Sequence, residues 1–247
     1  MEKPSDKPFS ESWFHAPLQA VGDTALLPPE EAFHMRKVLR LQPGKRVTAS
    51  NGAGGVFLCD TSAVKSDGVL LTAAEAAEIH PAPPRLHMIL GLLKGKDLEE
   101  PVEGLCQANL RAIHLITTDH TQEFKGQNHE RLVERLRGKS LVALKQAKKA
   151  WLTEIRAPLG LREWRQRFPD MPLILLHPGQ DRLPDGFSGD FGVLCGPEGG
   201  FSSGELEWLE SEGCHRMGLG STRLRGTHAP LLACGKLMGL GLQDATA

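Results

Sequence analysis

The sequence predicts a two-part α/β protein: a small β-barrel or sandwich, then a mostly parallel sheet covered by helices. Three observations carry this prediction. Short strand-like runs separated by glycine-bearing turns fill the first part of the chain. Beyond the proline cluster His80-Pro81-Ala82-Pro83-Pro84, strand-like and helical runs alternate. Three of the later strand-like runs end in loops at the edge where open parallel sheets gather ligands. The expected domains are residues 1–80 and 81–247.

In the first domain, Pro29 to Leu39 reads as a helix with Phe33, Val38 and Leu39 as its apolar side. Arg46 to Ser50, Val56 to Cys59 and Val69 to Ala73 read as strands. Turn signals separate them: Pro43-Gly44-Lys45, Asn51-Gly52-Ala53-Gly54-Gly55 and Ser66-Asp67-Gly68. In the second domain, a strand at Leu86 to Leu93 precedes a helix at Leu98 to Leu110. A strand at Ala112 to Thr118 precedes a basic helix at Glu130 to Trp151. Leu173 to His177, Phe191 to Cys195 and His215 to Leu219 read as further strands. Before the third of these, Ser202 and Glu205 have the spacing of a capping box. An amphipathic segment with Leu206, Trp208 and Leu209 follows, closed by Gly213. An apolar helix, about Ala229 to Leu242, ends the pattern. Its small residues Ala233, Gly235, Gly239 and Gly241 suit either close helix packing or an ordinary core.

The chain of 247 residues has ample core for stability, and its formal charge of −1 gives no global field that favours nucleic acid or membrane. Its distribution is less even. Residues 125–167, from Lys125 to Arg167, hold twelve Lys/Arg against four acids, which fits either a solvated helical surface or a polyanion footprint. The five cysteines are odd in number and widely spaced, a reduced pattern and not a disulfide framework. The ten histidines form no metal-ligand cluster with cysteine or glutamate, so no metal is expected. The polar start Met1 to Pro8 and the absence of long apolar runs predict a soluble, cytoplasmic protein.

The most informative stretch is Gly196-Pro197-Glu198-Gly199-Gly200-Phe201-Ser202-Ser203-Gly204-Glu205. A buried strand, a glycine-rich turn and a capped helix let a ligand approach bare backbone N–H and C=O groups. His177-Pro178-Gly179 and Leu219-Gly220-Ser221 are expected at the same sheet edge. Three such loops at one edge favour a ligand site, and by themselves they do not identify the ligand.

These residues resemble the RsmE family of 16S rRNA uridine-N3 methyltransferases, within the SPOUT superfamily. The resemblance rests on Gly196-Pro197-Glu198-Gly199-Gly200-Phe201-Ser202 with Glu205, then Leu219-Gly220, Leu224-Arg225 and His177-Pro178. It extends to His34, Val38-Leu39-Arg40 and Pro43-Gly44 in the first domain. It implies a PUA-like RNA-binding β-barrel before an α/β methyltransferase domain with a C-terminal trefoil knot, a rare exception to unknotted chains. It also implies a homodimer, S-adenosylmethionine (SAM) as cofactor and the small ribosomal subunit as partner. The matching cofactor residues are His177, Leu194, Gly196, Glu198, Gly199, Gly200, Leu219, Gly220 and Leu224. Glu198 also reads as an acid that organises its own turn.

Methylation at uridine N3 requires the imide to lose its proton while negative charge spreads onto O2 and O4. Arg225 matches the family arginine and is expected to orient the base and stabilise that charge. His228, one turn on, reads either as a surface residue or as the proton acceptor. RNA contacts are expected from His34, Arg36, Lys37 and Arg40, and from Lys145, Lys148 and Lys149. The chain departs from the family pattern at Thr227, where the family carries an acid, and around Leu110 and Lys145. These departures leave three readings: an rRNA uridine-N3 methyltransferase, a SPOUT methyltransferase with another RNA target, or a non-catalytic RNA-binding paralogue.

Overall fold

Among the described residues, eleven strands and six α-helices are distributed over two units of the chain, Met1–Pro83 with Leu144–Leu152, and Pro84–Ala143 with Thr153–Ala247. The structure, a computed structural model, describes residues 12–41, 44–63, 68–80, 82–93, 97–121, 129–177, 189–222 and 224–239. Of the positions named above, Met1 to Pro8, Pro43, Ser66, Asp67, Pro81, Lys125, Pro178, Gly179, Gly241 and Leu242 lie outside the described residues.

The first unit is built on a five-stranded sheet. Its strands are β1 (Trp13–His15), β2 (Thr24–Leu26), β3 (Arg46–Ser50), β4 (Gly55–Ala63) and β5 (Val69–Ile79), in the order β1-β3-β4-β5-β2. β1 runs parallel to β3, and the other pairs are antiparallel. The sheet closes over Phe14, Leu18, Val47, Phe57 and Leu71. Asn51 sets the β3–β4 turn: its Oδ1 accepts from the N–H groups of Ala53 at 2.8 Å and Gly55 at 2.9 Å. Gly54 there has φ +95°, and a Cβ would lie 2.3 Å from His80 O, so only glycine fits. Gly54 N–H donates to Ala150 O and Leu152 N–H to Gly52 O, which brings the 144–152 segment onto this turn.

The helix expected over Pro29 to Leu39 is divided. α1 (Pro29–Phe33) passes into a π-helical turn, His34–Val38, where Leu39 N–H reaches His34 O five residues back. The wider turn shifts the register of the faces. Ala32 and Met35 are buried, whereas Phe33, Val38 and Leu39 are 58, 61 and 38% exposed. The apolar side read from the sequence is therefore the outward one.

The second unit alternates as expected. In chain order it contains β6 (Leu86–Gly91), α2 (Glu99–Gln107), β7 (Ala112–Thr117), α3 (His129–Gln146), β8 (Glu154–Gly160), α4 (Leu161–Arg167), β9 (Leu173–Leu176), β10 (Phe191–Cys195), α5 (Ser203–Ser211), β11 (His215–Met217) and α6 (Ala229–Met238). All pairs in its six-stranded sheet are parallel, in the order β11-β9-β10-β6-β7-β8. β6 and β10 lie centrally and are buried along their whole length, which explains their unbroken apolar runs. Side chains alternate between two cores. Met88, Leu90 and Val193 pack with residues of α2 and α6, while Ile89 and Leu194 pack with Trp164 and Leu209.

Two differences from the sequence reading fall in the basic segment. The helix expected to reach Trp151 stops at Gln146. Lys148 takes φ +53°, Lys149 N–H donates to Leu144 O and Lys148 N–H to Lys145 O, the bonding of a Schellman cap. β8 and α4 then occupy residues the sequence left unassigned. β8 is an edge strand carrying Glu154, Arg156 and Pro158, so it lacks a central strand's apolar signature. Among the described residues no helix is long and apolar enough to cross a membrane, and no group of three or more His, Cys, Asp or Glu could hold a metal.

A buried polar chain crosses the sheet near the strand starts. Trp164 Nε1–H can only donate, and it meets His114 Nδ1 at 2.9 Å. His114 therefore carries its proton on Nε2, 2.9 Å from His87 Nδ1. His87 in turn carries its proton on Nε2, facing Asp190 Oδ2 at 3.3 Å. Burial lowers the pKa of both histidines, that of His114 to about 3, helped by the neighbouring His87 and Arg156. Both remain neutral in the folded protein and gain protons when it unfolds. The contribution of His114 is complete above the unfolded value near 6.5 and is lost as pH falls towards 3. Urea unfolding should therefore show the protein less stable at pH 5 than at pH 7, by about 1–2 kcal/mol for His114. His114→Asn, which keeps an acceptor for Trp164, should shrink that difference; an unchanged pH dependence would refute the assignment.

Candidate functional site

The ends of β9, β10 and β11 and the described residues that follow them line a cavity of about 520 Å³, a size suited to a small-molecule ligand. Parallel pairing of β9 with both β10 and β11 brings these ends together. His177 follows β9, and its N–H donates to Met217 O at 3.1 Å, joining the ends of β9 and β11. After β10 the chain turns at Pro197-Glu198-Gly199-Gly200, with Gly200 N–H donated to Pro197 O at 2.8 Å and Gly200 at φ +69°. The turn passes over the end of β6, where a Cβ on Gly91 would lie 2.4 Å from Pro197 N. That approach requires glycine at 91. Gly220, at φ +110°, shapes the third loop.

The walls are mainly apolar: Leu176, Phe201, Leu206, Met217, Leu219 and Leu224. His177, Glu198, Ser221 and Thr222 supply polar groups beside exposed main chain. Cys195 also lines the cavity, and burial pushes its thiol up to about 12, so it stays protonated and unreactive.

Of the cofactor residues expected from the sequence, His177, Gly196, Glu198, Gly200, Leu219, Gly220 and Leu224 line this cavity. Leu194 is fully buried in the core beneath it. Gly199 lies in the same turn, against His120. Arg225 is exposed between two lining residues, Leu224 and Gly226, and its carbonyl accepts the N–H groups of His228 and Ala229 at 3.0 Å. His228 is exposed at the start of α6.

The RNA residues expected in the first unit are disposed unevenly. His34, Lys37 and Arg40 are exposed and Arg36 partly so, all on or beside the π-helical turn. Lys145 is paired with Glu31, and Lys149 is 9% exposed, whereas Lys148 is exposed. A uniform cationic face over these three lysines is therefore absent.

The sequence did not single out Asp119 and His120, in the turn after β7. Asp119 N–H donates to Glu205 Oε1 at 2.9 Å, Ser202 Oγ donates to Asp119 Oδ2 at 2.5 Å, and His120 Nδ1 lies 3.0 Å from Gly199 O. No local pattern announces contacts across roughly 80 residues. Phe201, Leu206 and Met217 were also missed as cavity residues, although their positions in or beside the expected loops were a usable signal.

Residues 80–238 match the family model described as an RNA methyltransferase domain, and residues 27–72 match that of an RNA methyltransferase PUA domain. The chain is similar to a protein of Synechocystis sp. named ribosomal RNA small subunit methyltransferase E, 24% identical over 91% of this chain and 76% of the relative. A protein of the same name from Mycobacterium tuberculosis is 23% identical, over 88% of this chain and 87% of its own. In structure it is similar to a methyltransferase of Legionella pneumophila solved with SAM (TM-score 0.81, 23% identity, 92% of this chain and 97% of that one). The ribosomal RNA small subunit methyltransferase E of Neisseria gonorrhoeae, solved with SAM, gives TM-score 0.81 at 21% identity, over 93% and 97% of the two chains. These likenesses establish the fold, and the match over most of the α/β unit establishes more: the chain belongs to the RNA methyltransferase family.

Proposed function

We propose that this protein uses SAM to methylate N3 of a uridine in the 16S rRNA of the small ribosomal subunit. The observation that carries the reading is the cavity at the ends of β9, β10 and β11, with apolar walls and glycine-bearing turns. Relatives spanning most of the chain are named ribosomal RNA small subunit methyltransferase E, and two similar structures hold SAM. The residues present fit the cofactor. Gly196, Gly200 and Gly220 leave room for close approach to the main chain, and Leu176, Leu219 and Leu224 can cover an adenine ring. When bound, SAM supplies an electrophilic methyl group on a sulfonium sulfur.

The protein's own groups do the rest. The Arg225 guanidinium orients the uracil and stabilises the negative charge that grows on O2 or O4 as the N3 proton leaves. The His228 imidazole accepts that proton at a ring nitrogen. Residues 1–80, the PUA-like β-barrel, place the RNA through His34, Arg36, Lys37 and Arg40, with Lys148 adding to that contact. Residues 81–247 form the catalytic domain. Its β10 lies between β6 and the earlier β9, and α6 packs back against α2 and β10, an arrangement that accords with a trefoil knot. The working form is a cytoplasmic homodimer.

Calorimetry should detect uptake of SAM and of its demethylated product, and Gly220→Val, which forces a branched side chain into a left-handed backbone, should weaken uptake at least about tenfold. A protein that takes up neither ligand ends the proposal. Arg225→Ala should lower kcat by about 100-fold while the Kd for SAM stays within about threefold. An equal loss of cofactor binding would move Arg225 from chemistry to cofactor binding. Mass-spectrometric nucleoside analysis of 16S rRNA should show N3-methyluridine missing in a strain lacking the gene and restored with it. Its persistence in the deletion strain would redirect the activity to another RNA.

A further inference from the structure

We infer that Asp119 and His120, behind the glycine loop and outside the cavity, are positioning residues that hold this loop in its cofactor-accepting shape. The inference rests on the proposed function of the cavity. The turn at Pro197–Gly200 contains one internal backbone hydrogen bond, Gly200 N–H to Pro197 O, and Gly199 is exposed. Glycine-rich backbone of this kind has many alternative conformations, so its shape must be imposed from outside.

The turn after β7 supplies that constraint at two points. At Gly199, His120 Nδ1 donates to the carbonyl at 3.0 Å, and a Cβ built on Gly199 would lie 3.0 Å from His120 Cβ. At Ser202, the hydroxyl donates to Asp119 Oδ2 at 2.5 Å and accepts from Glu205 N–H at 3.2 Å. Glu205 completes the ring: its Oε2 accepts from Ser202 N–H and its Oε1 from Asp119 N–H, both at 2.9 Å. These bonds join Asp119, Ser202 and Glu205 in a closed ring. The opposite face of the same loop, at Gly196, Glu198 and Gly200, lines the cavity. A loss of the outer contacts frees the inner face.

The test uses the full-length protein and four variants. Asp119→Ala and His120→Ala delete the contacts. Asp119→Asn keeps an oxygen that accepts from Ser202, and His120→Asn places an amide nitrogen near the position of Nδ1. The alanine variants should raise the Kd for SAM by about five- to tenfold and leave kcat at saturating SAM within about twofold. They should also speed hydrogen exchange at the Gly199 and Gly200 amides in the absence of ligand. Both asparagine variants should behave close to the parent protein. Alanine variants with unchanged affinity and exchange would overturn the inference, and so would asparagine variants as impaired as the alanines. If the parent protein takes up no SAM, the proposed function falls, and the exchange rates alone decide whether the clamp exists.

Discussion

Glu205 is 5% exposed, and each of its carboxylate oxygens accepts a backbone N–H, one from Ser202 and one from Asp119. An ionised carboxylate buried without such partners costs several kcal/mol, so the charge is tolerated only where both donors are present. Ser202 opens α5 after β10, and Asp119 follows β7, with β6 between those strands in the sheet. Burial of one charge is thus conditional on two chain segments, far apart in sequence, meeting at the same sheet edge. The capping box of α5 is local to Ser202 and Glu205, whereas the anchoring of the glycine turn to the β7 end depends on that meeting.

The basic segment shows how a charge count becomes a surface. Arg135 is paired with Glu99, Lys139 with Glu103, Arg165 with Glu212, Arg156 with Glu154, Arg167 with Glu163 and Lys145 with Glu31. Four of these six acids lie outside the segment, so the excess of cations counted along the chain is partly cancelled in space. Exposed pairs of this kind add little stability, but they remove cations from the field that a phosphate would feel. The face is closer to a solvated, salt-bridged surface than to a continuous polyanion footprint. The exposed cations around the π-helical turn make the better RNA candidates.

The second unit also separates two kinds of polarity along its sheet. Near the strand starts, Trp164, His114 and His87 form a closed, directional hydrogen-bond chain in the core. At the strand ends, polar backbone is left open towards a cavity. Parallel strands allow this division because every crossover returns the chain to the same side, which gathers the strand-end loops at one edge.

Much of the architecture was legible in the residues. The alternation after the proline cluster, the Ser202–Glu205 capping box and the Asn51–Gly55 turn follow from local chemistry, since hydrophobic period, cap spacing and glycine conformation act over a few residues. The glycine loops of the candidate cofactor site were legible for the same reason. The outward turn of Phe33, Val38 and Leu39, the early stop of α3 at Lys148 and the edge strand β8 were not. A π-turn changes the period, a left-handed lysine mimics the usual glycine, and an edge strand is not apolar on both faces. The sequence by itself determined the alternating strands and helices around the glycine loops, because those depend on near neighbours. Only the tertiary structure decided that Leu194 lies under the cavity, that Lys145 and Lys149 are engaged, and that Asp119 and His120 support Gly199 and Ser202. Those outcomes depend on which distant segments the packed sheet brings within hydrogen-bonding reach.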